Sequence, residues 1–123
     1  MRISALAIAL SFTTCAGAAT MADAHTLDGK NRHVVIQNIT NTTVESIYIT
    51  RTDPSETWGQ DTLRSNEVML PSEQMNYNVD DGTDTCVFDF KVVFRGGAIR
   101  YGRVDVCVAR VIDITATNVV MAS

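Results

Sequence analysis

Histidine is scarce in this sequence, at two in 123 residues. His25 and His33 both lie in or beside a polar stretch ahead of the first predicted strand, so no later element can supply the imidazole that most general acid–base mechanisms use. No Gly-x-Ser-x-Gly elbow presents a serine, and no pair of carboxylates stands out for glycoside hydrolysis. These absences weigh against a small hydrolase, which is kept only as an alternative, and the chain is read as a non-enzyme with no cofactor. Cations are also short: ten Lys and Arg face fourteen Asp and Glu, for a net charge of −4. They are scattered, whereas phosphate backbones are gripped by clustered Lys and Arg, so nucleic acid is excluded as a partner. Attraction to anionic membranes is disfavoured on the same ground. After the first residues no apolar run approaches the roughly 20 residues of a membrane span. No window of helical period is long enough for a secure helix, and there is no repeat or low-complexity tract.

What is present begins with an export signal. Arg2 is the positive n-region, Ile3 to Phe12 is almost wholly apolar, and Ala22-Asp23-Ala24 offers the small residues that a signal peptidase reads. A cut after Ala16-Gly17-Ala18 fits nearly as well. Cys15 leaves with the signal, because Phe12-Thr13-Thr14 is not the sequence expected before a lipidated cysteine. Residues 1–24 are thus read as a signal peptide, 25–32 as a polar lead-in and 33–123 as one β domain, periplasmic or secreted. Removing residues 1–24 takes away one Arg and one Asp and leaves the charge unchanged. A domain this small buries a modest fraction of its surface, so a covalent staple matters.

From His33 onward, short runs of β-branched and aromatic residues alternate with turn chemistry. Strands are predicted at about 33–39, 43–50, 67–70, 74–79, 86–94 and 99–115, the last bent or broken, with turns at Asn41-Thr42, Asp53-Pro54-Ser55, Pro71-Ser72, Asp80-Asp81-Gly82 and Arg95-Gly96-Gly97. One short turn is expected to start at Asp61, whose carboxylate can cap the following amides before Leu63. The pattern predicts an all-β, small antiparallel β-sandwich of immunoglobulin-like outline, with a small barrel as the rival. Cys86, Phe88, Phe90, Val92 and Phe94 share one strand face, which must be core. A two-residue loop at Gly96-Gly97 pairs Arg95 with Ala98 and, counting outward, Cys86 with Cys107. A bridge closing a loop of about 20 residues contributes on the order of 3 kcal/mol. The same register, however, sets Arg103 and Asp105 against Phe90 and Phe88 while Val104 and Val106 point away. A bulge near Gly102 would restore the core face and move Cys107 out of direct opposition. The Cys86–Cys107 disulfide is favoured over the hairpin count, since two cysteines in an oxidising compartment with no third partner pair.

Trp58-Gly59-Gln60-Asp61-Thr62-Leu63, the Pro71 turn, Cys86-Val87-Phe88-Asp89-Phe90 and Cys107 form a recognisable set. The chain resembles a group of short secreted proteobacterial proteins that combine a Trp-Gly-x-Asp-x-Leu element with a Cys-x-x-Asp strand and a second cysteine. The resemblance spans about Val34 to Cys107 and implies export without implying an activity. Members sometimes carry an argininosuccinate lyase label. This chain contradicts it, having neither the length, the helices nor the catalytic loop of that large helical oligomer. Arg64 stands where the group commonly has glycine.

Trp58 with Asp61 is a candidate ligand-binding element, an aromatic plate beside a carboxylate. The plainer reading is a core or rim plug seated by the turn that Gly59 and Asp61 make. Asp80, Asp81 and Asp84 form the densest acidic cluster, a candidate Ca²⁺ loop, although it lacks the alternation and closing glutamate of an EF-hand; a solvated turn is the plainer reading. Asp89 points away from the phenylalanine face and is expected to pair with Lys91, Arg100 or Arg103. Were His25 the mature N-terminus, its amine and imidazole, with His33, would suit Cu(II). The leading expectation is a non-catalytic binding or structural module whose partner is a periplasmic protein or small ligand, with a metal-binding protein as the runner-up.

Overall fold

Val34, Ile36 and Asn38 are buried while the residues between them are not, and this period-two pattern forms strand β1 (His33–Asn38). The computed structural model describes residues 27–52 and 57–122. The predicted signal segment, His25 and the Asp53-Pro54-Ser55 turn lie outside the described residues. Further strands follow as β2 (Val44–Arg51), β3 (Gln74–Asn78), β4 (Val87–Phe94), β5 (Ile99–Asp105), β6 (Val111–Ile114) and β7 (Val119–Met121). Among the described residues there is no helix.

Two sheets result, one in the order β3-β1-β6-β7 and the other β2-β4-β5. The division is four plus three strands, as in an immunoglobulin-like outline, with a strand order of its own. Every pairing is antiparallel except β1 with β6, which is parallel. Val34, Ile36, Ile112, Ile114 and Val119 of the larger sheet meet Val44, Ile47, Phe88, Phe90, Val92, Phe94 and Val104 of the smaller one in a single core. Each such side chain contributes about 1.5–3 kcal/mol on burial.

The hairpin between β4 and β5 departs from the two-residue loop. Phe94 N–H donates to the Ala98 carbonyl at 2.8 Å and Gly97 N–H to the Phe94 carbonyl at 2.9 Å, so the loop has three residues, Arg95, Gly96 and Gly97. Both glycines carry positive φ, 98° and 99°, which a side chain would resist. The extra loop residue shifts the register by one. Val104 now faces Phe88 and Gly102 faces Phe90, while Arg103 and Asp105 turn to solvent. The clash of faces disappears with no bulge at Gly102.

The disulfide joins Cys86 to Cys107, with Cα atoms 5.3 Å apart. The two are not directly opposed. Cys86 accepts a backbone bond from Val106, and Cys107 lies one residue later in a turn closed by Val108 and Ala109 N–H groups on the Asp105 carbonyl. That turn breaks the predicted 99–115 strand and carries the chain from one sheet to the other. Glu67 to Leu70, predicted as a strand, forms only a bridge from Met69 to Val44. β7 is an addition to the predicted strands; at three residues it offers little periodicity, and it is set by a turn in which Thr115 Oγ1 accepts the amides of Thr117 and Asn118.

The described part of the lead-in is pinned to the domain. Arg32 is buried, pairs with Asp28 at 2.7 Å, donates to the Thr85 carbonyl at 2.8 Å and touches Cys86 Sγ at 3.8 Å. A buried guanidinium is tolerated because its donors are matched.

Candidate functional site

Alternation along β4 sends Val87, Asp89, Lys91 and Val93 to the side opposite the core. Register then decides what they meet. Lys91 lies between Tyr48 of β2 and Tyr101 of β5, and Asp89 between Thr50 and Arg103. Two rows therefore cross the outer face of the three-stranded sheet, one aromatic–cation–aromatic and one carrying a charged pair.

A strap from Thr57 to Thr62 lies along the free edge of β2. The Thr50 hydroxyl donates to the Thr57 carbonyl at 3.1 Å, Thr62 N–H donates to the Ile47 carbonyl at 2.8 Å, and Asp61 Oδ1 accepts Ile47 N–H at 2.9 Å and Leu63 N–H at 3.0 Å. Asp61 caps a following amide, that of Leu63 itself where the sequence pointed to the amides before it, and it does so without a helix. Gly59 turns the strap with φ 56°. The result holds Trp58 over the aromatic row. Lys91 Nζ is 5.3 Å from the Trp58 ring centre and 4.6 Å from that of Tyr48, within cation–π range. The rings of Trp58 and Tyr101 stand 6.1 Å apart, tilted by 36°.

Beside them is an open hollow of about 410 Å³ lined by Trp58, Asp89, Phe90, Tyr101, Gly102 and Arg103. Tyr101 is 56% exposed, a large apolar surface left to solvent. Asp89 accepts a bond from Arg103 Nε at 2.8 Å and another from the Thr52 hydroxyl at 3.2 Å. The Asp89 bond raises the Arg103 pKa, so the guanidinium stays charged at the rim.

The remaining sequence candidates are dispersed. Asp80 accepts Gly82 N–H, and Asp81 accepts both the amide and the hydroxyl of Thr83 and stands 3.5 Å from Arg51. Asp84 is exposed. The Arg32 pKa is raised first by the hydrogen bonds it donates to Asp28, against desolvation, and then by the charges of Asp28, Asp80 and Asp84. Asp80 and Asp84 thus add to the countercharge that Asp28 supplies to the buried Arg32. His33 is exposed, with Nδ1 3.1 Å from Asn31 Oδ1. Among the described residues one group of three candidate metal ligands converges, Cys86, Asp105 and Cys107. Its sulfurs are joined, and a disulfide sulfur is not the thiolate that binds metal. Asn38 is buried, its amide donating to the carbonyls of Thr42 and Met69.

Sequence reasoning singles out Trp58 but misses Tyr48, Lys91 and Tyr101. The outward alternation of β4 points to Lys91; the two tyrosines need the register. Among the described residues no helix is long and apolar enough to cross a membrane. Comparison of the chain with protein-family models, curated proteins and solved structures finds no match.

Proposed function

We propose that this protein is an exported, non-catalytic binding module whose contact surface is the outer face of the β2-β4-β5 sheet. The observation that carries this reading is the row of Tyr48, Lys91 and Tyr101 beneath Trp58. None of these side chains belongs to the core, so the row is surplus to packing. Ligand sites combine an apolar floor with a few placed polar groups, and here the rings of Trp58 and Tyr101 adjoin the Asp89–Arg103 pair. The ligand class that fits is a saccharide, which has a flat C–H face for an aromatic ring and a rim of hydroxyls for a carboxylate and a guanidinium. The N-terminal signal and the resemblance to short secreted proteins support an extracytoplasmic setting, where the disulfide persists.

The chain contains one tryptophan, so its fluorescence reports on this face alone. Titration with β-1,4-linked glucose, N-acetylglucosamine and mannose oligomers is expected to shift Trp58 emission saturably for at least one of them. Tyr101→Ala should abolish that shift while the thermal midpoint is kept. Emission indifferent to the whole panel, or an unchanged affinity in Tyr101→Ala, overturns the reading.

A further inference from the structure

The four-stranded sheet ends at β3, and among the described residues nothing pairs with its outer edge. Asn38 N–H bonds the Glu73 carbonyl and Val79 N–H bonds the Arg32 carbonyl, which fixes the parity of the ladder. Residues 73, 75, 77 and 79 spend their backbone groups on β1. The N–H and C=O groups of Gln74, Asn76 and Asn78 therefore point out of the sheet edge. Proteins blunt such edges with charge, proline, bulges or a covering segment. The other sheet does so: β2 is strapped by Thr57 to Thr62 and bridged by Met69. Among the described residues, Gln74-Met75-Asn76-Tyr77-Asn78 has none of these devices.

The strand keeps one alternation of amide and apolar side chains on either side of Asn76. Amides stand at 74, 76 and 78 on the exposed side, and Met75 and Tyr77 on the side packed against the core. Beyond Met75 and Tyr77 opens a hollow of about 540 Å³ whose far wall includes Leu63, Arg64, Glu67 and Val68. We propose that β3 is a homodimerisation edge, pairing antiparallel with β3 of a second copy about a two-fold axis through Asn76. In that register Asn76 faces its own mate and Gln74 faces Asn78, in hydrogen-bonded pairs that supply about six backbone bonds. Met75 faces Tyr77, a sulfur–aromatic pairing, on both sides of the axis. No like charges are brought opposite each other within the strand. The contact is isologous, so it closes at two copies instead of growing into a fibre. A foreign peptide could use the same backbone groups; a second copy also sets amide against amide at 74, 76 and 78 and Met75 against Tyr77. The edge belongs to the other sheet from the Trp58 face and stands or falls apart from the binding proposal.

Sedimentation velocity of the exported, oxidised chain over a micromolar concentration series is expected to show a monomer–dimer equilibrium. Asn76→Pro removes an outward N–H that the monomer does not use, and proline is tolerated on an edge strand. It should weaken association about tenfold or more with the thermal midpoint little changed. Should Asn76→Pro disturb folding, cross-linking through Asn76→Cys decides the matter. Mild oxidation should link Asn76→Cys to its mate, since paired Cα atoms at about 5.5 Å suit a disulfide, and Gln74→Cys should not link. A wild-type chain that stays monomeric, association undiminished in a folded Asn76→Pro, or equal cross-linking at both positions overturns the proposal.

Discussion

Gly102 is the position where one added carbon should do most harm. It lies mid-strand in β5, opposite Phe90, with its missing side chain aimed at β7. A Cβ built there would fall 2.7 Å from the Val119 carbonyl carbon and 2.8 Å from Val119 Cβ, and closer still to the Val119 carbonyl oxygen. Carbon atoms in contact sit at about 3.5–4.0 Å, so β5 and β7 must separate. The obstacle is mainly backbone, which no rotamer change can relieve, and overpacking of this kind costs about 2–3 kcal/mol. For a domain near this size that corresponds to a midpoint about 10–20 °C lower. The assay is thermal unfolding of Gly102→Ala, followed by circular dichroism with the disulfide intact. A second variant locates the cause: adding Val119→Ala to Gly102→Ala should not restore the midpoint, because the Val119 carbonyl remains. A fall of less than about 4 °C, or rescue by Val119→Ala, would refute the close approach of the two strands.

Other outcomes follow from the same contacts. Replacing both Cys86 and Cys107 by alanine should cost about 3 kcal/mol, read from denaturant unfolding beside the oxidised parent. The bond from Arg32 and then the Lys30 amide hold the Asp28 carboxyl below the usual carboxylate range. Its stabilisation is therefore whole above the ordinary value near 3.8 and is lost as pH falls below that toward the depressed native value. Midpoints of wild type and Asp28→Asn, measured from pH 6 downward, should differ most at the upper end and converge in acid. Asp61→Ala strips an acceptor from the Ile47 and Leu63 amides and should cost about 1–3 kcal/mol, while Asp61→Asn, which keeps the oxygen, should cost less by the same unfolding measurement.

Much of the architecture is legible in the sequence because it rests on local pattern. The alternation of Phe88, Phe90, Val92 and Phe94 states its own face, and Asp89 between them has to point outward. Arg103 then becomes its partner through register. That register is not legible at one loop: Gly96-Gly97 suits two-residue turns, and nothing in the composition distinguishes them from a three-residue loop that also needs positive φ at its glycines. The conflict between Val104 and Arg103 is the visible symptom, and a bulge at Gly102 is the wrong remedy for it, since the cause lies in the turn. Tyr48, Lys91 and Tyr101 come from three strands, and only the ladder brings them into line. Arg32 illustrates a different limit, since a lone arginine in a polar lead-in gives no sign that Asp28, Thr85 and Cys86 will enclose it.

Trp58 owes its position to the way the smaller sheet protects its edge. β2 would otherwise offer the amide and carbonyl of Ile47 to any passing strand, and the strap answers both, the carbonyl with Thr62 N–H and the amide with the Asp61 carboxylate. Once those bonds are made, Gly59 turns the chain and the residue before it is carried over the face of the sheet. Lys91 and Tyr101, already outward by alternation, are within reach of the indole that arrives. Trp58 and Asp61 are thus linked through the strap, with Asp61 making the bonds to Ile47 and Leu63. The carboxylate fixes where the ring stands, and the polar groups beside that ring are Asp89 and Arg103 on the adjacent row. A strand edge closed in this way leaves its aromatic cover on the solvent side, whereas β3 has no such strap among the described residues.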